Sequence, residues 1–275
     1  MTRILLVALM MIGAMAQSQA QEGFEVGGWA GASYYYGDLK TTVDLSNPNL
    51  AFGMLARYNF NERVCLALSG NYGKVAANDA DSNNPYEQAR NLSFESEIVD
   101  AALRLEFNFL ELKHGSKDQF FSPYLFGGLS AFYYNPKTEY NGQLVELRPL
   151  GTEGQFKGEE YYSISGGWAF GMGIKVDLSY RWSLNFEVDG RRLFTDYLDD
   201  VSTTYADADD IEGLRGEVAV ALADRSIDIP GVDTANFGIA GKQRGDSQSN
   251  DIYAFGKISL VYYFGDLKCP PISGR

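Results

Sequence analysis

Apolar and polar residues alternate one by one through eight stretches of this chain, the period at which successive strand residues face opposite ways. In Trp182 to Phe194, Trp182, Leu184, Phe186 and Val188 share one face and Ser183, Asn185, Glu187, Asp189 and Arg191 the other. Ser163 to Val176 sets Ile164, Trp168, Phe170, Met172 and Ile174 against Ser163, Ser165, Gly171, Gly173 and Lys175. From Val99 to Phe109 the apolar face is Val99, Ala101, Leu103, Leu105, Phe107 and Phe109, opposed by Asp100, Arg104, Glu106 and Asn108. Phe52 to Phe60 and Val64 to Tyr72 predict a hairpin about Asn61-Glu62, and Ile252 to Phe264 predicts the last strand. Phe24 to Tyr35 and Tyr124 to Tyr134 are apolar or small on both faces, which leaves the register of these first and fifth strands open.

Such alternation suits a soluble sandwich, with the apolar face inward, or a membrane barrel, with the apolar face toward lipid. The N-terminus favours the membrane. Arg3 precedes an apolar run from Ile4 to Met15, and small residues follow at Ala14-Met15-Ala16 and Ser18-Gln19-Ala20. That is the pattern of a secretory signal peptide over residues 1–20, cleaved after Ala16 or Ala20, with a core too short to span a bilayer as a helix. No later segment offers eighteen consecutive apolar residues. The expected fold is therefore an all-β, eight-stranded antiparallel transmembrane barrel over residues 21–264, followed by a short tail at 265–275. The links at Asn61-Glu62, 110–120 and 177–181 are short, whereas those at 37–49, 73–93, 135–162 and 195–251 are long. Short periplasmic turns and long external loops then place both termini in the periplasm of a Gram-negative cell.

Eight strands enclose only enough room for side chains. The polar faces send Arg57, Arg104, Lys175, Arg191 and Lys257 inward together with Asp100, Glu106, Glu187, Asp189 and Glu25, a balance that favours a paired ionic core over a selectivity ring. The net charge of −13 argues against nucleic acid as a partner and leaves outer-membrane lipid as the expected surroundings. Segment 195–251 holds thirteen acidic residues against four basic ones. Within it, Asp207, Asp209, Asp210 and Glu212 are weak candidates for a divalent cation, set against a merely solvated acidic loop, and Glu217 to Ala223 suits a short helix. Cys65 and Cys269 both fall at the periplasmic end and form either a disulfide or two unpaired thiols. One histidine, His114, lies in a periplasmic turn without an evident Ser or carboxylate partner and reads as a solvated side chain. The expectation is a non-enzyme without cofactor.

Gly27-Gly28-Trp29 to Tyr34-Tyr35-Tyr36-Gly37-Asp38-Leu39, Arg148 to Gln155 (RPLGTEGQ), Arg192 to Ser202 (RLFTDYLDDVS) and the Lys268-Cys269-Pro270 tail together resemble one family of Bacteroidota outer-membrane barrels, the family that includes PorG of the type IX secretion system. The resemblance covers nearly the whole mature chain and marks Thr195, Asp196, Tyr197, Asp199 and Asp200 as its motif residues. It implies a structural or accessory role in a secretion apparatus, in association with a periplasmic ring lipoprotein and its partner. The alternative is a stand-alone surface barrel that is adhesive, membrane-stabilising or ligand-binding through its acidic loop, and a narrow channel stands third. The Thr195–Ser202 motif falls outside the cell in this topology, whereas the ring lies in the periplasm.

Overall fold

In the computed structural model, residues 23–42, 45 and 47–265 are described. The signal segment 1–20, Cys269 and the rest of the tail beyond Gly265 lie outside them. Eight long strands close into a barrel: β1 (Gly23–Tyr36), β2 (Asn49–Asn59), β3 (Val64–Asn78), β4 (Ser93–Asn108), β5 (Phe121–Tyr140), β7 (Ile164–Asp177), β8 (Trp182–Leu193) and β9 (Ile252–Tyr263). A short strand, β6 (Gln143–Glu146), folds back on the end of β5 as a hairpin. Every strand pairs antiparallel with its neighbours, and the β1–β9 and β4–β5 ladders complete the ring, so the barrel has no open edge.

The alternation resolves as the membrane case. Phe52, Met54, Leu68, Val99, Leu103, Ile164, Trp168, Met172, Val188 and Ile258 are each at least half exposed, all on the outer wall. From Val99 to Phe109, at about 3.4 Å per residue and a tilt of about 40°, this wall rises about 26 Å, close to the apolar height of a membrane barrel. Aromatic rings rim it at both ends. At the short-turn end, Phe24 meets Tyr58 at 5.6 Å, Phe107 meets Phe109 at 5.7 Å, and Trp182 meets Tyr262 at 5.0 Å. At the other end, Phe52 lies 5.2 Å from Tyr72 and Trp168 lies 5.8 Å from Phe194. Rings that are apolar with polar edges suit the interface between lipid tails and water.

Connections 60–63, 109–120 and 178–181 occupy one end, and the described chain both enters and leaves there, with Gly23 opposite Asn59 and Glu25 opposite Tyr263. The long loops gather at the opposite end. Three strands run further into that end than the alternation predicted: β3 continues to Asn78, β4 starts at Ser93 and β5 reaches Tyr140. Their outer faces turn polar there, with Lys74 bonded to Glu95 and Tyr72 to Glu97, so the ladder persists after the apolar signal stops. The loops carry three helices: α1 (Pro85–Arg90), α2 (Ala208–Arg215) and α3 (Glu217–Ala223). The last is the helix expected within the acidic loop.

The undecided registers of β1 and β5 have a simple cause. Their inward faces are aromatic as well: Trp29, Tyr35, Tyr124, Phe126, Phe132 and Tyr134 are buried inside the barrel. The interior is thus two-layered, ionic through the lower and middle barrel and aromatic-aliphatic toward the long loops, where Leu39, Leu147, Leu198 and Val201 join the same cluster.

Candidate functional site

Three features are candidate sites: the charged interior, the mouth at the short-turn end, and the cap formed by the long loops. All ten charges expected inside are there, none more than 6% exposed. Arg57 on β2 lies 2.5 Å from Glu25 on β1 and 2.7 Å from Glu106 on β4, and Lys175 on β7 lies 2.8 Å from Glu106. Arg104 on β4 grips Glu187 on β8 through two hydrogen bonds of 2.7 and 2.8 Å and lies 3.3 Å from Asp189. Arg191 pairs with Asp100 at 3.2 Å and also with Asp189, which Lys257 on β9 bonds as well. Aromatic faces cover the cations: Arg104 stands 4.3 Å over Phe126, Lys175 4.5 Å over Tyr124 and Lys257 4.6 Å over Trp29. Side chains lining an aqueous pore would contact water along the lumen; these do not. The pairing spans the barrel from wall to wall and fills it.

The lower mouth corrects one expectation. His114 is not solvated: the 109–120 connection folds inward and buries its ring, stacked 4.2 Å from Tyr263. Nδ1 lies 3.1 Å from an oxygen of Asp177, and Nε2 lies 3.1 Å from Glu25. Burial alone would lower the imidazole pKa, but the hydrogen bonds to Asp177 and Glu25 outweigh it and lift it to about 9. At neutral pH this is an imidazolium bridging two carboxylates, with no free nitrogen to act as a general base. Ser183 bonds Asp177 at 2.7 Å, not the histidine, so the three do not form a nucleophile–base pair. The space left beside His114 is about 10 Å³, at the lower limit for a single water. Cys65 is buried near this end, 3.7 Å from the amide of Asn108 and 3.8 Å from the Lys175 ammonium, while its candidate partner lies outside the described residues.

The upper end is closed by the motif segments, and the three that are described come together there. Asp200 holds a left-handed backbone (φ 67°), a conformation that Asp tolerates better than most residues. Its carboxylate accepts from Thr152 at 2.6 Å and from the Tyr161 hydroxyl at 2.7 Å. Glu153 accepts from the backbone N–H groups of Ser202 and Thr203 and from Arg244 at 3.1 Å. Tyr197 stacks on Tyr161 at 4.8 Å, which in turn stacks on Tyr134 at 6.1 Å, and Thr195 lies 3.5 Å from the Tyr134 hydroxyl. Asp199 accepts from the Tyr35 hydroxyl at 2.6 Å and from the Val201 N–H at 2.9 Å. Asp38 accepts from the Asp246 N–H at 2.9 Å, while Arg90 reaches the Asp38 carbonyl at 2.6 Å and pairs with Asp79. Asp196 is buried with no cation beside it among the described residues, and the Ser202 side chain only partly offsets that burial. Burial pushes Asp196 up to about 7, and lifts Asp38 to about 6 and, against the pull of Arg244, Asp200 to about 6.

Asp207 is the N-cap of α2 and accepts the Asp209 N–H at 2.9 Å, while Asp209 and Asp210 occupy the first turn, where the helix dipole favours negative charge. Among the described residues, no three His, Cys, Asp or Glu side chains are arranged to hold a metal ion. Beside the cap, an open polar cleft of about 870 Å³ is lined by Lys40, Asn49, Asp81, Glu87, Glu95 and Lys137 among others.

Residues 2–220 match a sequence-family profile described as Domain of unknown function (DUF6089). The chain belongs to that family. No curated protein matches it significantly. Among solved structures it is similar to Neisserial surface protein A, at 10% identity and a TM-score of 0.44, covering 88% of this chain and 97% of the other. It is also similar to the N-terminal β-barrel domain of Pseudomonas aeruginosa OprF, at 12% identity and a TM-score of 0.37 over 89% and 100% of the two chains. A third similarity is to Ail, the attachment invasion locus protein of Yersinia pestis, at 8% identity and a TM-score of 0.40 over 90% and 100%.

Proposed function

We propose that the protein is a non-catalytic outer-membrane barrel that stands in the bilayer as a closed plug and serves as a structural or accessory component of a type IX-like secretion apparatus. The observation that carries the closed-plug reading is the sealed interior, with ten charged residues paired across the lumen, His114 stoppering one mouth and the motif loops the other. A barrel that passes nothing through its lumen works through what its turns, loops and wall bind. The link to secretion rests on the resemblance, and it is supported by the way Asp38, Arg148 to Gln155 and Thr195 to Ser202, far apart in sequence, act as one cap. With short turns and both termini in the periplasm, the rim formed by 60–63, 109–120 and 178–181 is the surface offered to a ring lipoprotein and its partner.

The position of the cap favours a second reading. The motif builds the long-loop end, away from any periplasmic ring, as befits a stand-alone surface barrel whose acidic loop meets the exterior. Mild-detergent purification of the tagged protein from its native membrane, followed by mass spectrometry, separates the two. Near-stoichiometric recovery of the ring lipoprotein and its partner supports the first. Recovery of the barrel alone, from cells that make the ring, rejects it in favour of the second.

A further inference from the structure

The cap buries more carboxylate than it neutralises. Asp38 follows β1, Asp79 lies between β3 and β4, Glu153 lies between β6 and β7, and Asp196, Asp199, Asp200, Asp246 and Asp251 belong to the β8–β9 connection. The cations facing them, Arg90 and Arg244, are engaged by Asp79 in one case and by Glu153 and Asp200 in the other. Asp196, Asp199 and Asp251 are left without an ion-pair partner of their own among the described residues, and Asp196 has only the Ser202 side chain to bond it. Buried charges without counterions are costly enough that such groups are neutralised by protons or by a bound cation.

Hydrogen-bond stoichiometry decides between them. The Tyr35 hydroxyl lies 2.6 Å from a carboxylate oxygen of Asp199 and 2.9 Å from one of Asp251. A phenol has one hydrogen and an ionised carboxylate has none, so unless that hydrogen is split between both acids, the two short contacts require one acid to carry a proton and donate it to the phenol oxygen. The remaining oxygens of the pair are occupied by backbone donors, with Val201 N–H on Asp199 and Leu198 N–H on Asp251. No cluster of ligands among the described residues is arranged for a metal. We propose that the cap is latched by a proton held between Asp199 and Asp251 at the Tyr35 hydroxyl, and that the Thr195–Ser202 segment is released from the barrel mouth as the surrounding pH rises. Losing the proton removes one of the two phenol contacts and leaves two buried carboxylates facing each other, within the field of Asp38 and Asp196.

Burial and the neighbouring Asp38 raise Asp199, and burial with Asp199 and Asp196 raises Asp251, so both hold protons more tightly in the closed cap than in an open one. The closed cap is therefore most favoured near the ordinary carboxylate pKa and is progressively weakened as pH climbs toward the raised values.

Hydrogen–deuterium exchange of the full-length protein in detergent micelles, followed on peptides over 194–205 and corrected for intrinsic exchange, tests this. Protection is expected to fall by about tenfold or more between about pH 5.5 and 8.5, with peptides from β8 unchanged. Asp251→Asn replaces the protonated acid by an amide that is neutral and still donates, so it should keep the cap protected at high pH and cut the slope to the part that Asp38, Asp196 and Asp200 contribute. Asp199→Asn should do the same, and the wild-type profile stands even if one variant does not fold. A flat wild-type profile would overturn the proposal, as would Asn variants that keep the full slope. Opening by a chelator at pH 5.5, or closure by calcium at pH 8.5, would also overturn it and assign the neutralising charge to a cation.

Discussion

Replacing Arg104 by Met tests whether the interior is dry. Its guanidinium bonds both oxygens of Glu187, lies 3.3 Å from Asp189 and from Glu106, and rests on Phe126. Removing one member of a buried charge network costs about 3–5 kcal/mol, because the partners stay charged where water cannot reach them. Here the lower end applies. Glu187 retains the Tyr124 hydroxyl at 2.5 Å and Lys257 at 3.5 Å, Asp189 retains Arg191 and Lys257, and Glu106 retains Arg57 and Lys175. About 3 kcal/mol at an m-value of about 2 kcal/mol/M moves the urea midpoint down by about 1.5 M. Adding Glu187→Gln to R104M removes the stranded charge and should restore part of that loss. The assay is reversible urea unfolding into and out of phospholipid vesicles. An R104M midpoint within about 0.3 M of wild type would mean that water solvates the stranded carboxylates, and the sealed-interior argument would fall.

His114→Gln should cost stability in a pH-dependent way. The histidine pKa is raised in the fold to about 9, so its contribution is complete below about pH 6.5 and disappears as pH passes 9. The wild-type advantage, about 3 kcal/mol at most, should be measurable at pH 6 and absent at pH 10, and equal differences at both would refute the ion-pair reading. Met172→Arg puts a charge on the lipid face near mid-wall and should cost about 2–4 kcal/mol of folding free energy into vesicles, whereas a neutral effect would remove Met172 from lipid contact. Glu153→Gln weakens the bonds from Ser202, Thr203 and Arg244, so deuterium exchange over 196–205 should accelerate while strand peptides stay protected; uniform protection would show that Glu153 does not hold the cap.

Much of the barrel was legible in the sequence because a membrane wall imposes alternation over every residue that crosses it. β8 and β7 were read from Trp182 and Ser163 onward nearly to their limits, and the inward placement of Arg57, Arg104, Lys175, Arg191, Lys257 and their acidic partners followed from the same period. Above the wall the constraint lapses, so the upper parts of β3, β4 and β5 read as loop. β1 and β5 hid their register because aromatic residues serve both the lipid face and the packed upper interior. The role of His114 was invisible locally, since its partners Glu25 and Asp177 are 89 and 63 residues away. α2 did carry a signal: Asp207 as cap, Asp209 and Asp210 in the first turn and Arg215 in the last are a helix-start and helix-end pattern. The motif residues Thr195, Asp196, Tyr197, Asp199 and Asp200 were singled out by resemblance, but their common purpose emerges only where loops from four parts of the chain close over the barrel mouth.

Single-channel recording of the purified protein in a planar bilayer tests the closed-plug claim most directly. Paired charges across the lumen and stoppers at both mouths predict no steady openings at neutral pH across the usual range of voltages. Sustained, reproducible ion-conducting steps from the native, fully folded barrel would contradict it.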